Sequence, residues 1–271
     1  MLKTGSQIIW NKQHLDRGGY FHVRFFTGEK NFLRQIVSEK CLLDFYFPLL
    51  YDKIRITKCR HLCRKEKIMT AKDCLKILRT VKDAAFATVD GEGRPQVRII
   101  DVMLVEDERL YFCTARGKDF YRQLLDTGWT AVTAMNHNFQ MVRLSGQAEQ
   151  LREQKKWIDR IFEENPVMNE VYPGQSRYIL EPFCIEAGQL EFFDLGKTPI
   201  YRESFAIGNA PKPVKGFVIT EDCIGCGTCL QSCPQACIEA GNPYLIRQEH
   251  CLHCGLCVEA CPAGAIQRRD V

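Results

Sequence analysis

From Thr70 onward the apolar positions fall into helical and alternating rhythms that predict a sheet-rich domain with few helices. Leu75, Leu78 and Val81 recur at helical spacing within 70–82, and Thr70-Ala71-Lys72-Asp73 supplies a capping-box start. Residues 84–90 alternate as a strand, Gly91-Glu92-Gly93 makes a hairpin turn, and 95–103 forms the second strand. Glu106-Asp107-Glu108 turns the chain into a third strand over 109–115, followed by a short helix over 117–126. Strands over 129–136 and 139–151 meet at His137-Asn138. A helix over 153–165 stops before Pro166. The pattern ends in a hairpin, 177–187 with 190–194, turning at Gly188. Many short strands joined by tight turns predict an α+β, mainly β fold built on a small antiparallel barrel.

Residues 1–68 show no sustained period. They hold 14 Lys and Arg against 6 Asp and Glu, whereas 69–271 hold 23 against 27, so the overall charge of +4 conceals two different compositions. A basic stretch with aromatics is open to nucleic acid or an anionic surface, and Cys59, His61 and Cys63 to a metal; the plain alternative is an extension outside the fold. A fold that opens cleanly at Met69 carries the sharper expectation that translation starts there. We therefore expect a basic extension over 1–68, a barrel domain over 69–205, a linker over 206–216 centred on Gly208-Asn209-Ala210-Pro211-Lys212-Pro213, and a cysteine-rich module over 217–271.

Fifteen cysteines are the unusual feature of the composition. No export signal and no apolar run of about 18 residues occur, so a cytoplasmic protein without a membrane span is expected. The longest apolar run, over 41–51, is interrupted by Asp44 and Pro48. In a reducing compartment dense cysteines ligate metal more often than they pair.

The module repeats C-x-x-C-x-x-C-x-x-x-C-P: Cys223, Cys226, Cys229 and Cys233 before Pro234, then Cys251, Cys254, Cys257 and Cys261 before Pro262. Zinc takes two separated C-x-x-C pairs and fits this spacing poorly. Soft thiolates at two-residue gaps converge on an iron–sulfur cubane, and the fourth cysteine of each run ligates the other cluster. The expectation is two [4Fe–4S] clusters. Cys223, Cys226, Cys229 and Cys261 take one, and Cys251, Cys254, Cys257 and Cys233 the other. Cys237 reads as a small buried residue and His253 as a non-ligand. This module resembles the bacterial two-cluster ferredoxins.

The barrel offers no G-x-G-x-x-G, P-loop, H-E-x-x-H or serine elbow. Its Gly93-Arg94-Pro95-Gln96-Val97-Arg98, Leu110-Tyr111-Phe112-Cys113-Thr114, Lys118 and Val142-Arg143-Leu144-Ser145-Gly146-Gln147-Ala148-Glu149 stretches resemble the pyridoxamine 5′-phosphate oxidase-like superfamily over roughly 70–195. The resemblance implies a split barrel that holds FMN at a homodimer interface. It implies flavin or phosphate contacts at Arg98, Cys113, Thr114 and Lys118. The residues agree with a phosphate site: Arg98 for a bidentate contact, Thr114 for a hydroxyl, Arg116 and Lys118 where the chain enters a helix. Ile99, Ile100 and Gln140 are candidates beside the ring. Met103 stands where these oxidases often carry lysine, and their C-terminal pyridoxal phosphate segment has no counterpart, which argues against vitamin B6 oxidation. The same barrel hosts deazaflavin reductases and haem-handling proteins, for which His137 is the candidate ligand.

Clusters pass single electrons, and a flavin takes them singly and releases a pair. The leading expectation is an FMN-dependent oxidoreductase with an external electron donor or acceptor and a small-molecule substrate. The alternatives are an electron-transfer adaptor for a larger redox complex and a tetrapyrrole-handling protein. No acid–base pair stands out; Tyr111, Tyr121, His137 and Glu149 are the available proton donors.

Overall fold

The computed structural model describes residues 69–269. Helix α1 (Ala71–Val81) opens on Thr70, whose Oγ1 accepts from the Asp73 amide at 3.2 Å, and buries Cys74, Leu75 and Leu78. The chain then runs β1 (Asp83–Val89), β2 (Pro95–Asp101), β3 (Leu104–Glu106), β4 (Arg109–Ala115), α2 (Asp119–Thr127), β5 (Trp129–Met135) and β6 (Gln140–Gln147). It continues through β7 (Glu149–Gln150), α3 (Gln154–Glu164), α4 (Met168–Val171), β8 (Leu180–Ile185), β9 (Gly188–Asp194) and β10 (Tyr201–Ile207).

Two antiparallel sheets result. One has six strands in the order β10-β9-β6-β5-β1-β2, the other four in the order β3-β4-β8-β7. They enclose one core, in which Phe86, Phe112, Phe120 and Phe183 stack on or tilt against one another at centroid distances of 4.8–6.1 Å. Such pairs add to the area they bury. The two sheets do not close on each other by strand pairing; β2 and β10 are the free edges of the larger one among the described residues.

Three expectations need correction, for one reason. Residues 95–103 and 139–151 are not single strands, and 177–187 with 190–194 is not a hairpin. The chain passes from one sheet to the other at Val102-Met103, at Ala148 and at Glu186-Ala187. β8 pairs with β4 and β7, whereas β9 pairs with β6 and β10. Sequence pattern marks these segments as extended but not which sheet each part pairs into, so it reads straight on through the corners. Residues 174–179, taken partly as strand, form a 3-10 turn.

The β1–β2 turn is held by one carboxylate. Asp90 accepts from the amides of Glu92 and Arg94 at 3.0 and 2.9 Å, and from Arg94 Nε and Gln96 Nε2 at 3.0 Å each. These donors, the Arg94 amide foremost, outweigh partial desolvation and bring its pKa down to about 2. Its contribution to stability is therefore present above the ordinary carboxylate pKa and fades as pH falls toward 2. Carboxyl NMR titration is expected to find Asp90 well below its neighbours in the sequence; an ordinary midpoint would remove it as the organiser of the turn.

Beyond β10 the cysteine-rich module folds as two short pairs, β11 (Phe217–Ile219) with β14 (Ile266–Arg268) and β12 (Ile238–Glu239) with β13 (Leu245–Ile246). Helices α5 (Thr228–Ser232) and α6 (Leu256–Ala260) pack together, each starting on a glycine in left-handed backbone, Gly227 at φ 75° and Gly255 at φ 84°. The sequence repeat is thus a conformational repeat. No helix among the described residues is long and apolar enough to cross a membrane. The expectations for residues 1–68 lie outside the described residues.

Candidate functional site

Six of the eight repeat cysteines belong to the packed centre of the module. Cys229, Cys251 and Cys257 are buried, Cys223, Cys233 and Cys261 partly so, and Cys226 and Cys254 face outward. Cys233 of the first run lines one cleft, of about 330 Å³, with Cys251, Cys254 and Cys257 of the second. Phe217, Ile238 and Ile246 close its apolar floor. Gly225 (φ 71°) and His253 (φ 55°) occupy equivalent repeat positions in left-handed backbone. That turn brings the His253 amide to 3.4 Å from Cys251 Sγ, an N–H···S contact of the kind that stabilises a ligating thiolate. Burial first, then the charge of Arg202, pushes the His253 imidazole down to about 4, so it stays neutral. Thr228 Oγ1 lies 3.4 Å from Cys226 Sγ, and its contacts hold that thiol below its usual range. Cys237 is buried, and its sulfur lies 3.5 Å from Cys233 Sγ, at the edge of the same cleft.

Cysteines of the barrel are of another kind. Burial pushes the thiols of Cys74, Cys113 and Cys184 up to about 12, so they remain protonated and unreactive.

The residues proposed for the flavin fall into separate places. Arg98, on the free-edge strand β2, turns inward and lies over the Phe120 ring at 4.6 Å. Its Nη1 donates to Thr88 Oγ1 at 2.6 Å and its Nη2 to Gln123 Oε1 at 2.9 Å. It is thereby fixed beside the first turns of α2. Thr114, on β4, is buried, and its hydroxyl finds no partner among the described residues. Lys118 is exposed at the N-cap of α2, where no side chain caps the helix. Arg116 pairs with Glu181 at 2.6 Å. Arg98 thus touches α2 at Phe120 and Gln123, while Thr114, Arg116 and Lys118 lie on the chain that leads into its N-terminus. An unpartnered buried hydroxyl on β4, a strand-borne arginine on β2 and the turn residues Arg116 and Lys118 are donors a phosphate takes, with the carboxylate of Glu181 opposite Thr114 already neutralised by Arg116.

Cys113 points away from Thr114, into the cluster under α3 formed by Met103, Ile158 and Phe162. Ile99 is 63% exposed on the outer face of β2, and Ile100 packs on the core. Gln140 is elsewhere. The row of Arg98 runs through Phe86 and Val132 to Leu144, and Gln140 lies four residues further along β6. There it donates to Asp194 at 3.0 Å. His137 stands exposed in the β5–β6 turn.

Sequence reasoning missed how the cluster module meets the large sheet. Arg202 Nη1 donates to the Cys251 carbonyl at 3.1 Å, His250 Nδ1 lies 2.8 Å from the Ile200 carbonyl, and the Ile200 amide reaches Gln235 Oε1 at 3.4 Å. Arg202 also binds the buried carboxylate of Glu191, which Lys215 approaches at 3.4 Å and Arg143 at 3.7 Å. Burial pushes Glu191 up, but the hydrogen bond and charge of Arg202, with Lys215, more than offset it and keep the carboxyl ionised.

Comparison with known proteins agrees with this division. Residues 71–171 match the family model of pyridoxamine 5′-phosphate oxidase, and residues 222–265 that of the 4Fe-4S dicluster domain. Dihydrophenazinedicarboxylate synthase of Pseudomonas chlororaphis is 29% identical over 94 residues, 33% of this chain and 42% of its own. The enzyme of the same name from Burkholderia lata is 28% identical over 123 residues, 44% and 57% of the two chains. The chain therefore spans about half the length of the curated relatives it matches. A NimC/NimA family protein from Clostridium acetobutylicum aligns at 18% identity and a TM-score of 0.44, covering 51% of this chain and 92% of its own. An FMN-binding, pyridoxamine 5′-phosphate oxidase-related protein from Nostoc punctiforme aligns at 15% identity and 0.35, covering 51% and 93%.

Proposed function

From a chain that joins a pyridoxamine 5′-phosphate oxidase-like domain to a 4Fe-4S dicluster domain, we propose an iron–sulfur flavoprotein oxidoreductase. It relays single electrons between two [4Fe–4S] clusters and FMN, and so reduces or oxidises a small molecule. A redox, electron-transfer role is what the two matched domains support together. The observation that carries the relay is the seating of a cluster-binding loop directly on the large sheet, through Arg202 and the Cys251 carbonyl.

The phosphate of FMN is assigned to the α2 N-terminus, held by Arg98 and Lys118 and by the hydroxyl of Thr114. Bound there, a flavin supplies two-electron chemistry fed by one-electron steps. The chain's own part is to fix Arg98 through Thr88 and Gln123, and to keep water from the Thr114 hydroxyl. Gln140 lies three strands and four residues along from the Arg98 row, a separation that favours a homodimer in which each flavin draws on both copies. The outer face of the large sheet supports this second copy. Val97 (72% exposed), Ile99, Val89, Trp129 and Met135 lie there uncovered, an apolar area of the kind that marks an interface. Such a protein works in the cytoplasm, where thiolates stay reduced for iron.

The test is cofactor content after anaerobic purification. About one FMN and about eight iron atoms per chain are expected. Lys118→Ala should lose most of the flavin with iron unchanged, and Arg98→Lys should weaken flavin retention less. Full iron without flavin would convert the reading to an adaptor, and a Soret band would convert it to tetrapyrrole handling.

A further inference from the structure

The two clusters occupy unequal surroundings. The hydrogen bonds from Ile200 and Arg202 to the cluster module reach His250, Cys251 and Gln235. All three adjoin ligands of one cluster: Cys251 itself and its neighbour His250, and Gln235 two residues beyond Cys233. That cluster, held by Cys251, Cys254, Cys257 and Cys233, is the barrel-side one. The other run turns outward, with Ile224 70% exposed between Cys223 and Cys226.

Charge divides the same way. Around Cys223, Cys226 and Cys229, from Val218 to Ser232, the chain contains no lysine or arginine, while Glu221 and Asp222 directly precede Cys223 and are exposed. Beside Cys251 stands the opposite balance. One carboxylate, Glu191, gathers Arg202, Lys215 and Arg143. The Arg202 side chain is only 14% exposed, so solvent screens its charge little. Its position is set twice over: β10–β9 pairing brings residues 201–207 alongside 188–194, and the Cys251 carbonyl receives its second nitrogen.

We infer that the Arg202–Glu191–Lys215 group makes the clusters inequivalent, holding the barrel-side cluster at the higher reduction potential. Adding one electron to a cluster adds one negative charge, and a buried cation nearby stabilises the reduced form. Net charge and hydrogen bonding around the ligating sulfurs are the protein's means of setting that potential. An electron given by a low-potential one-electron donor to the outward cluster then moves downhill: the outward cluster is reoxidised as the barrel-side cluster is reduced, next to β10. Arg202 is in this sense a positioning and tuning residue. The inference rests on the two-cluster reading above and assigns an order within it.

The experiment is a dithionite titration with redox mediators on the full-length, anaerobically purified protein, following each cluster by electron paramagnetic resonance. Two separable one-electron steps are expected. Arg202→Gln should lower the higher step by about tenfold in its reduced-to-oxidised ratio at fixed potential, about 59 mV, and leave the lower step in place. Arg202→Lys should keep most of the potential, and Glu191→Gln, which leaves the cations uncompensated, should raise the same step. Coincident steps in the wild type, or equal movement of both steps in the variants, would overturn the inference. Should Arg202→Gln lose iron, Glu191→Gln decides alone, a rise supporting it and an unmoved step overturning it. Absence of any cluster signal would instead remove the two-cluster reading itself.

Discussion

Alanine at Cys261 is expected to abolish the same cluster as alanine at Cys226, although 35 residues of chain separate the two positions. The reason would be an exchange of fourth ligands between the repeats. Cys233 lines the cleft of the second run, and the repeat symmetry then sends Cys261 to the first. Each variant should fall from about eight iron atoms per chain to about four, and both should retain the same paramagnetic signal. Thermal stability of the module should fall with them, since a shared ligand set is also a staple between two short two-stranded sheets. Testing from Cys261 is cleaner than from Cys233, because Cys237 stands 3.5 Å from Cys233 Sγ. Loss by Cys261→Ala of the cluster that Cys254→Ala removes would show uncrossed ligation.

The second large effect is expected at Gly146, where β6 faces β9. A Cβ there would come within 2.3 Å of the Ala187 carbonyl oxygen and 2.9 Å of Ile185 Cγ2. Across the pair, a Cβ on Gly188 would meet the Ser145 carbonyl oxygen at 2.7 Å. Two glycines opposite each other let the chain leave one sheet and enter the next within Glu186-Ala187. The obstacle is backbone rather than a flexible side chain, so nothing nearby yields cheaply. Gly146→Ala is expected to destabilise the barrel by about 3 kcal/mol, at the upper end for overpacking. Urea unfolding measures it, and a loss below about 1 kcal/mol would show that the corner adapts.

These two sites mark what the sequence made legible. The eight cysteines declare their chemistry by spacing alone, because thiolates on one cubane must be that close along the chain. Strands β1 and β5 show alternating burial, and β4 declares itself by a short apolar run buried on both faces. Gly188 was legible as a special position but not for its role: a glycine between apolar runs reads as a hairpin turn, and only pairing shows it at a passage between sheets. β10 was hidden, because both of its faces are half-covered and its residues alternate in nothing. With it went Arg202, whose importance comes from the register of β10 on β9 and from a loop about fifty residues later. Arg98 was legible as a cation on a strand. Its partners Thr88 and Gln123 were not, since β1 and α2 meet it only in the folded barrel.

In the proposed relay, the larger sheet would set the direction. The cluster module meets it at the β10 edge, while Arg98 belongs to β2 at the other edge, five interstrand steps away, roughly 24 Å along the sheet. Gln140 lies nearer the cluster side, two strands from β10. On the proposed reading, a flavin that touches Gln140 of one copy and Arg98 of the other would shorten that gap and make the dimer part of the electron path as well as of the binding site. Disrupting the apolar outer face, by Val97→Asp with Ile99→Asp, is expected to give monomers that keep their iron and lose their flavin. Sedimentation with cofactor analysis checks this, and monomers that retain full flavin would place the whole site within one chain.

The central claim is that clusters and flavin form one electron path. It is tested most directly by mixing the anaerobic, oxidised protein rapidly with a one-electron reductant and following cluster and flavin absorbance together. The account predicts that the clusters bleach first and that flavin bleaching follows at a rate independent of reductant concentration, as internal transfer requires. In Cys257→Ala, which lacks the barrel-side cluster, that phase should disappear. Flavin bleaching that scales with reductant concentration and persists in Cys257→Ala would contradict it.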